Sequence, residues 1–580
     1  MIKKLIKSLR EYKIPTLLTP IFVIFEVILE VLIPLLMSKL IDDGISNNNM
    51  NIVYIVGIAL VICAIISLIF GILAGISVSK ASTGFAKNLR HDLYYKVQDF
   101  SFYNIDKFST SSLITRLTTD VSNVQFAFQM VVRTAVRAPL MLITSIIFSI
   151  TISPKLSLIY LIVAPLLGIS LLFIAKIAHP TMKKVFESYD DLNNVVEENV
   201  NAIRVVKSFT LEEEEETKFK NVSNKIYKLF VKGEKILALN SPIMQTSMYT
   251  CILLISWLGA HIIVSTGGSE LTTGNLMTLF TYTTQILGSL MMLSMIFVII
   301  TISRASMERI VEVLDEIPDI QNPKNPITRV PNGSVKFENV SFSYIKDKNK
   351  EVLKDINLEI KSGEFVGIIG GTGTGKSSLV NLIPRLYDVT EGNIYVGGNN
   401  VKDYDLKMLR DEVSCVLQKN VLFSGTVVEN IMWGDENASF EDVVNVCKLA
   451  QADKFINELE NGYNTHIEEG GTNVSGGQKQ RLCIARALLK KPKILILDDS
   501  TSAVDTRTDR LIQEAFKKDL PNTTKIVIAQ RISSIEHADK IIVLDNGKIN
   551  GIGTHKELLR KNEIYKEVYE SQMKGSDKNE

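Results

Sequence analysis

The pattern of apolar and polar positions divides the chain near residue 305. Before that point, apolar residues form several runs near or above the ~20 residues with which a helix crosses a bilayer. After it, the apolar runs are shorter, and charged residues occur at the density of a soluble α/β protein. The pattern therefore predicts six membrane-spanning helices, at residues 15–40, 52–78, 130–152, 156–177, 241–264 and 276–302.

The distribution of Lys and Arg between the spans predicts their orientation. The connections 42–51 and 266–275 contain neither residue, and the third short connection holds only Lys155. The N-terminal segment and the long connections 80–129 and 178–240 are rich in both. Positive residues favour the inner side, so both termini are expected in the cytoplasm. The long connections keep helical apolar spacing although they are too charged for lipid, which predicts helices that extend beyond the bilayer.

Four charged residues interrupt the predicted spans. Glu26 and Glu30 lie four positions apart on one face of the first span, and Arg133 and Arg137 repeat that spacing in the third. Charges inside a membrane are costly and call for an explanation. The sequence leaves two open: an acidic patch that attracts cationic substrates, or pairing of the charges within the helix bundle.

Length and composition limit the remaining possibilities. A chain of 580 residues is too long for one hydrophobic core, so at least two domains are expected. A formal net charge of +1 gives no general attraction to nucleic acid. Five cysteines without paired spacing argue against a disulfide framework and a zinc site. The expected division is a membrane domain at 1–305, a linker at 306–334, a soluble domain at 335–570 and a polar tail at 571–580.

Residues 370–378 read GGTGTGKSS, which matches the phosphate-loop pattern Gly-x4-Gly-Lys-Ser. The run 365–369 before it predicts a buried strand, and the spacing over 377–386 predicts a helix. In that context the glycines allow successive backbone N–H groups to face nucleotide phosphates. Lys376 adds a positive charge and Ser377 a ligand for Mg²⁺, so ATP and Mg²⁺ are the predicted cofactors. The candidate phosphate-binding residues are Gly370, Gly371, Thr372, Gly373, Thr374, Gly375, Lys376, Ser377 and Ser378.

A candidate for contact with the nucleotide base ends the predicted strand 335–344. Tyr344 closes an FSY sequence, and its ring is of a kind that stacks on an adenine face. The alternative is that the ring packs within the sheet. The sequence leaves both interpretations open.

Two further motifs follow the phosphate loop: NVSGGQKQR at 473–481 and ILILDDS at 494–500. Together with the six spans, these motifs resemble a half-transporter of the ATP-binding cassette (ABC) exporter superfamily, and the resemblance covers nearly the whole chain. It implies an α-helical six-span transmembrane domain of the type I exporter kind, with long cytoplasmic extensions, followed by an α/β P-loop ATP-binding cassette. It also implies that two cassettes pair, each completing the other's ATP site.

The resemblance implies roles for further residues. The signature residues Ser475, Gly476, Gly477 and Gln478 would open a helix that faces the γ-phosphate of ATP held by the opposite cassette. Gln418 and Asp498 would join Ser377 around Mg²⁺. Four segments resemble contact regions of the family: 102–121 and 202–215 the two coupling regions, 468–471 the contact with the partner's cytoplasmic helices, and 502–505 the loop between cassettes.

Two positions depart from the family pattern. Asp499 stands where the family usually has a glutamate that acts as general base, and Gln530 stands where it has a histidine that contacts the γ-phosphate. Aspartate is one methylene shorter, and a misplacement of about 1 Å costs roughly 100-fold in rate. Glutamine donates a hydrogen bond but carries no imidazolium charge. Both changes predict slow or absent hydrolysis at this chain's own site.

The signature is intact, so this chain is expected to serve a partner's ATP while holding its own. The pattern resembles the degenerate-site subunit of bacterial heterodimeric multidrug exporters. It implies export of small amphipathic compounds, of the multidrug or lipid type, across the cell membrane. The partners would be a second, non-identical half-transporter, membrane lipids and the substrate, with no nucleic acid. Two alternatives remain: a nucleotide-gated channel or sensor, and a slow homodimeric exporter that uses Asp499 as a poor base.

Overall fold

The computed structural model describes residues 1–499 and 504–576 and contains two compact units. One unit consists of Met1–Gln98 and Ser109–Glu316, and the other of Asp99–Phe108 and Ile317–Glu580. The short segment Asp99–Phe108 thus belongs to the second unit, although it lies between membrane helices in the sequence.

Long helices make up almost all of the first unit. The helices up to residue 316 are α1 (Ile2–Leu5), α2 (Lys13–Lys39), α3 (Met50–Gln98), α4 (Phe102–Phe108), α5 (Thr110–Thr115), α6 (Val121–Ile152), α7 (Pro154–Asn201), α8 (Ile203–Phe209), α9 (Glu212–Leu237), α10 (Asn240–Thr266) and α11 (Thr273–Asp315). Among the described residues, six helical stretches are long and apolar enough to cross a membrane, and each contains one predicted span. The six-span prediction is confirmed.

The predicted extensions beyond the bilayer are confirmed as well. Helix α3 has 49 residues, or about 74 Å at 1.5 Å per residue, against a hydrocarbon core of ~30 Å. Its apolar part precedes a polar continuation that runs to Gln98, and α7 continues in the same way to Asn201.

Three of the four charged residues within the spans pair with one another across helices. Arg137 of α6 donates to Glu26 Oε1 at 2.5 Å and to both carboxylate oxygens of Glu30, at 2.7 and 2.8 Å, on α2. A Cβ at Gly71 of α3 would lie 3.2 Å from Glu26 Oε1, so this glycine gives the carboxylate its space. Arg133 makes no ion pair or hydrogen bond with any described residue. Of the two interpretations of these charges, the structure shows internal pairing.

The second unit is built on a mostly parallel sheet. Its strands are β1 (Val335–Phe342), β2 (Leu353–Ile360), β3 (Phe365–Gly370), β4 (Glu391–Val396), β5 (Asn399–Asn400), β6 (Val413–Val416), β7 (Gly425–Thr426), β8 (His466–Ile467), β9 (Ile494–Asp498), β10 (Thr524–Ile528), β11 (Lys540–Asp545) and β12 (Lys548–Gly553). The six-stranded sheet has the order β12-β11-β3-β10-β9-β6, in which only β12 is antiparallel to its neighbour. A four-stranded antiparallel sheet, β2-β1-β4-β5, lies in the same unit.

Helices complete this unit and cover both faces of the large sheet. They are α12 (Lys376–Asn381), α13 (Leu406–Glu412), α14 (Val427–Met432), α15 (Phe440–Leu449), α16 (Asp453–Glu458), α17 (Gly476–Leu489), α18 (Thr506–Asp519), α19 (His555–Lys561) and α20 (Glu563–Ser576). Strand β9 shows how the two faces are used: Leu495 and Leu497 enter one hydrophobic core, and Ile494 and Ile496 the other. Continuous apolar sequence is typical of such a strand, buried on both faces.

The strand order sets the position of the candidate site. Strands β3, β10 and β9 are adjacent and parallel, so their carboxyl ends meet at one edge of the sheet. Ligands of open parallel sheets bind at that edge. The helix after the phosphate loop is shorter than predicted: α12 ends at Asn381 rather than near 386. The reason is Pro384, which disfavours helical conformation at the residue before it.

Candidate nucleotide-binding site

The phosphate loop joins β3 to α12 and depends on glycine at specific positions. Gly373 and Gly375 have φ values of +78° and +91°, in the left-handed region that favours glycine. A Cβ at Gly375 would also lie 2.8 Å from Leu353 Cδ2, and a Cβ at Gly370 would lie 2.2 Å from Leu544 O. Gly370, Gly373 and Gly375 are therefore required by backbone conformation or close packing in the loop itself.

Lys376 lies across this loop. Its Nζ donates hydrogen bonds to Gly370 O at 2.9 Å and to Gly371 O at 2.6 Å. Burial lowers the pKa of its ammonium group, an effect that the nearby Asp498 and Asp499 oppose. A partly desolvated cation inside a phosphate loop interacts strongly with anionic oxygen atoms. Lys376 is therefore well placed to bind nucleotide phosphates.

Ser377 and Asp498 provide two oxygen atoms suited to Mg²⁺. Ser377 Oγ donates to Asp498 Oδ1 at 3.0 Å, and Asp498 is only 4% exposed at the end of β9. Burial raises the pKa of the Asp498 carboxyl group, and the neighbouring Asp499 contributes in the same direction. Mg²⁺ prefers such hard ligands and completes its shell with water and phosphate oxygens. In the described part of the chain, no group of three or more His, Cys, Asp or Glu side chains could hold a metal ion by itself.

Gln418 forms no described hydrogen bond with Ser377 or Asp498. It follows β6, is exposed, and makes no hydrogen bond with any described residue. A role for Gln418 as a magnesium ligand therefore stays a prediction.

The two residues that depart from the family pattern contact each other. Gln530, after β10, donates from Nε2 to Asp499 Oδ2 at 2.6 Å. Asp499 has a φ of +49°, and its N–H donates to Ile528 O at 3.1 Å. Burial raises the pKa of the Asp499 carboxyl group, whereas the Gln530 hydrogen bond and the charges of Lys376 and Arg531 oppose that rise. The carboxylate is thus held in place by an amide rather than directed freely into the site.

Gln480 is a further contact that the motifs did not indicate. It lies on α17, is 1% exposed, and donates from Nε2 to Asp499 O at 3.3 Å. The bond links the signature helix to the end of β9. Its position within the QKQR part of the motif gave no separate signal of this role.

The position of Tyr344 agrees in part with both interpretations, packing within the sheet and contact with an adenine ring. Its ring packs edge-on against Phe342 and Tyr387, with centroid distances of 4.8 and 5.1 Å, and its hydroxyl lies 2.8 Å from Ser378 Oγ. The side chain nevertheless remains 37% exposed. Contact with adenine therefore stays a prediction, and the hydrogen bond to Ser378 places Tyr344 beside the phosphate loop.

The signature residues form the N-terminus of α17. Ser475 Oγ accepts from the Gln478 N–H at 3.3 Å, and the Ser475 N–H donates to Gln478 Oε1 at 2.9 Å. This capping box stabilises the first turn and leaves Ser475 and Gly476 exposed. No described hydrogen bond joins the four signature residues to the phosphate loop.

The predicted loop 502–505 is only partly visible, because Ser502 and Ala503 lie outside the described residues. Asp505 caps α18 by accepting from the Thr508 N–H at 2.9 Å. In the segment 468–471, Glu468 accepts from Thr472 Oγ1 at 2.6 Å.

Known proteins match both parts of the chain. Residues 16–290 match the family described as ABC transporter transmembrane region, and residues 353–502 match the family described as ABC transporter. The uncharacterized ABC transporter ATP-binding protein YfiB of Bacillus subtilis (strain 168) is 36% identical over 98% of each chain. A second relative, the uncharacterized ABC transporter ATP-binding protein Rv1273c of Mycobacterium tuberculosis, is 32% identical over 93% of each chain.

The structural comparison agrees with the sequence comparisons. The structure of a bacterial Atm1-family ABC exporter with ATP bound has a TM-score of 0.84 and 25% identity, and the similarity covers 97% of this chain and 99% of that one. This chain belongs to the ABC transporter family: it is a multi-pass plasma-membrane protein whose cytoplasmic ATPase domain drives export.

Proposed function

We propose that this chain is the ATP-retaining half of a heterodimeric exporter of small amphipathic compounds. The observation that carries the proposal is the hydrogen bond of 2.6 Å between Gln530 Nε2 and Asp499 Oδ2. It joins the two residues that replace the usual base and switch positions. The chain then binds ATP and Mg²⁺, and hydrolysis takes place mainly at the site built on the partner's phosphate loop.

Binding of ATP uses groups that this chain has intact. The loop amides and Lys376 hold the phosphates, and Ser377 and Asp498 hold Mg²⁺, with Gln418 as a third proposed ligand. When bound, Mg²⁺ neutralises negative charge on the phosphate oxygens. Tyr344 supports the adenine ring with its exposed face. These interactions are favourable whether or not the terminal phosphate is cleaved.

Cleavage requires a base aligned with the attacking water, and Asp499 is poorly suited to that task. Its side chain is one methylene shorter than glutamate, and one carboxylate oxygen already accepts from Gln530. A base must lie within hydrogen-bond distance of the proton that it removes. Gln530 in turn supplies no positive charge to a developing phosphate anion. Slow turnover at this site follows from both deficits.

Exposed apolar side chains on the cassette support the proposal that the chain has a partner subunit. A cavity of about 310 Å³ in the cassette is lined by Phe423 and Trp433, whose rings stack at 3.9 Å and are 41% and 60% exposed. Large apolar side chains grouped at a surface mark interaction sites. The groove suits an amphipathic helix from the second half-transporter. Helix α8 of this chain, with Val205 and Phe209 exposed, is a helix of that kind and would in turn contact the partner's cassette.

The decisive experiment compares the ATPase activity of this chain alone with that of the complete transporter. The full-length chain, purified in lipid nanodiscs, should turn over about 100-fold more slowly than the complex, because its own base is misaligned. It should nevertheless bind the fluorescent analogue MANT-ATP with Mg²⁺. Lys376→Ala serves as the matched control for binding. Brisk turnover by the isolated chain, abolished by Lys376→Ala, would contradict the proposal and favour the homodimeric exporter.

A further inference from the structure

The last helix of the described chain, α20, is anchored in the hydrophobic core of the cassette. Tyr565 is fully buried, and its hydroxyl lies 2.8 Å from Nδ1 of His555. Val568 and Tyr569, one turn further along, pack against the same core. Residues three and four positions apart lie on one face of a helix, so the next position on this face is Gln572. The anchored face of α20 thus continues into a carboxamide rather than an apolar side chain.

Gln572 makes two hydrogen bonds to the backbone that follows strand β10. Its Nε2 donates to Gln530 O at 2.8 Å, and its Oε1 accepts from the Ile532 N–H at 2.9 Å. Strand β10 ends at Ile528, so this backbone has already left the sheet. A side-chain amide offers a donor and an acceptor side by side, as a neighbouring strand would. Two bonds fix both the position and the orientation of the segment, whereas a single bond would fix only a distance.

The segment that Gln572 holds contains the residue at the switch position. Gln530 donates from Nε2 to Asp499 Oδ2 at 2.6 Å. Burial raises the pKa of the Asp499 carboxyl group, and the charge of Lys376 in the phosphate loop opposes that rise. The preceding residue, Asp498, accepts from Ser377 Oγ of the same loop. The side chain of Gln530 therefore lies beside the groups suited to phosphate and Mg²⁺.

We propose that Gln572 is a positioning residue that holds Gln530 in place at the nucleotide site, so that α20 forms part of the support of that site. The inference rests on the proposed function, in which Gln530 stands beside the terminal phosphate of the retained ATP. Gln572 acts through the backbone that it holds rather than on the nucleotide itself. ADP lacks the terminal phosphate and does not extend to Gln530. Loss of the two bonds should therefore weaken the binding of ATP and leave that of ADP nearly unchanged.

Nucleotide titration of the full-length chain in lipid nanodiscs tests this selectivity. The probes are MANT-AMPPNP, an analogue of ATP that is not hydrolysed, and MANT-ADP, each with Mg²⁺. Gln572→Ala should weaken MANT-AMPPNP binding by about 5- to 10-fold and change MANT-ADP binding by less than about 2-fold. Gln572→Glu keeps the acceptor for the Ile532 N–H and loses the donor to Gln530 O, so its effect should lie between the native chain and Gln572→Ala.

Ser571→Ala is the matched control. Ser571 is the neighbouring exposed position on α20, and its side chain makes no hydrogen bond with any described residue. The substitution should leave the affinities for both nucleotides unchanged. Equal weakening of both nucleotides in Gln572→Ala, or no weakening of either, would overturn the inference. So would an effect of Ser571→Ala as large as that of Gln572→Ala.

Hydrogen–deuterium exchange of the same variants separates positioning from unfolding of the helix. Gln572→Ala should speed amide exchange in residues 530–534 by about 10-fold and leave the anchored residues 563–569 unchanged. If exchange rose in 563–569 as well, Gln572→Glu would decide in its place, and an unchanged affinity of that variant for MANT-AMPPNP would overturn the inference. Brisk ATP hydrolysis by the isolated chain would refute the retention of ATP. The ratio of the two affinities tests Gln572 independently, because MANT-AMPPNP is not cleaved.

Discussion

Asp499 and Gln530 follow neighbouring parallel strands, β9 and β10, and their side chains meet because the strand ends meet. Asp499 also adopts a φ of +49°, a conformation that non-glycine residues rarely occupy. Such backbone conformations cost free energy and concentrate at functional sites. Here the conformation turns the carboxylate toward an amide that holds it. In the proposed function, this contact makes the two residues act as one unit rather than separately.

Restoring both residues should therefore restore hydrolysis at this chain's own site. Asp499→Glu extends the carboxylate by one methylene, and Gln530→His replaces the amide that holds it. We expect the double variant to raise the ATPase activity of the isolated chain by about 10- to 100-fold, with a smaller gain for either single variant. Malachite-green release of phosphate measures the effect.

Asp499→Asn in the isolated chain is the matched control for this prediction. Asparagine has nearly the same size as aspartate but cannot act as a base, so a rate that is slow as we propose should change little. If the double variant were no faster than Asp499→Asn, the base and switch positions would not be what limits hydrolysis at this site.

The sequence predicted the chemistry of single residues better than their contacts. The phosphate loop and the capped signature depend on neighbours within a few positions, so their roles could be predicted from local motifs. The Asp499–Gln530 contact joins residues 31 positions apart and depends on the order of strands in the sheet. The hydrogen bond between Gln572 and Gln530 joins residues 42 positions apart, and no local pattern relates them.

At the scale of helices, apolar runs predicted where the spans lie because bilayer thickness fixes their length. The same runs gave no information on which helices pair through charge. Arg137 on α6 contacts Glu26 and Glu30 on α2, and Gly71 on α3 leaves space for the Glu26 carboxylate. The interaction thus gathers three spans. The assignment of α4 to the cassette unit likewise depends on tertiary contacts rather than on hydrophobic periodicity.

Arg137→Met should destabilise the transmembrane unit strongly. The substitution leaves two carboxylates without their cation, and Glu26 is only 7% exposed. Removal of one partner from a buried ion pair costs about 3–5 kcal/mol. Thermal unfolding of the purified chain in detergent, followed by tryptophan fluorescence, measures the change in midpoint.

Arg133→Met is a matched control, because Arg133 lies one turn away on α6 and forms no ion pair with the described residues. It should shift the unfolding midpoint much less. Equal shifts for the two variants would mean that the pairing with Glu26 and Glu30 contributes little to stability.

At the scale of the whole transporter, each ATP site of the proposed heterodimer combines groups from two chains, so this chain would contribute unequally to the two sites. In that heterodimer it would provide an intact signature, with Ser475 exposed at the N-terminus of α17, to the site on the partner's phosphate loop. It provides Asp499 to its own site. This chain should therefore contain some residues whose substitution stops the transporter. At its own catalytic positions, by contrast, substitution should have little effect.

Ser475→Arg and Asp499→Asn test this asymmetry in the complete transporter. The arginine places bulk at an exposed helix start that, in the proposed heterodimer, faces the partner's nucleotide, and we expect it to lower total ATPase activity at least about 10-fold. Ser475→Thr keeps the capping oxygen and should preserve more activity, which separates blocked contact from a disturbed helix. Asp499→Asn should lower the total by less than about 2-fold, since a misaligned base contributes little to begin with. The opposite ranking, with Asp499→Asn the more damaging change, would place the competent site on this chain's own phosphate loop.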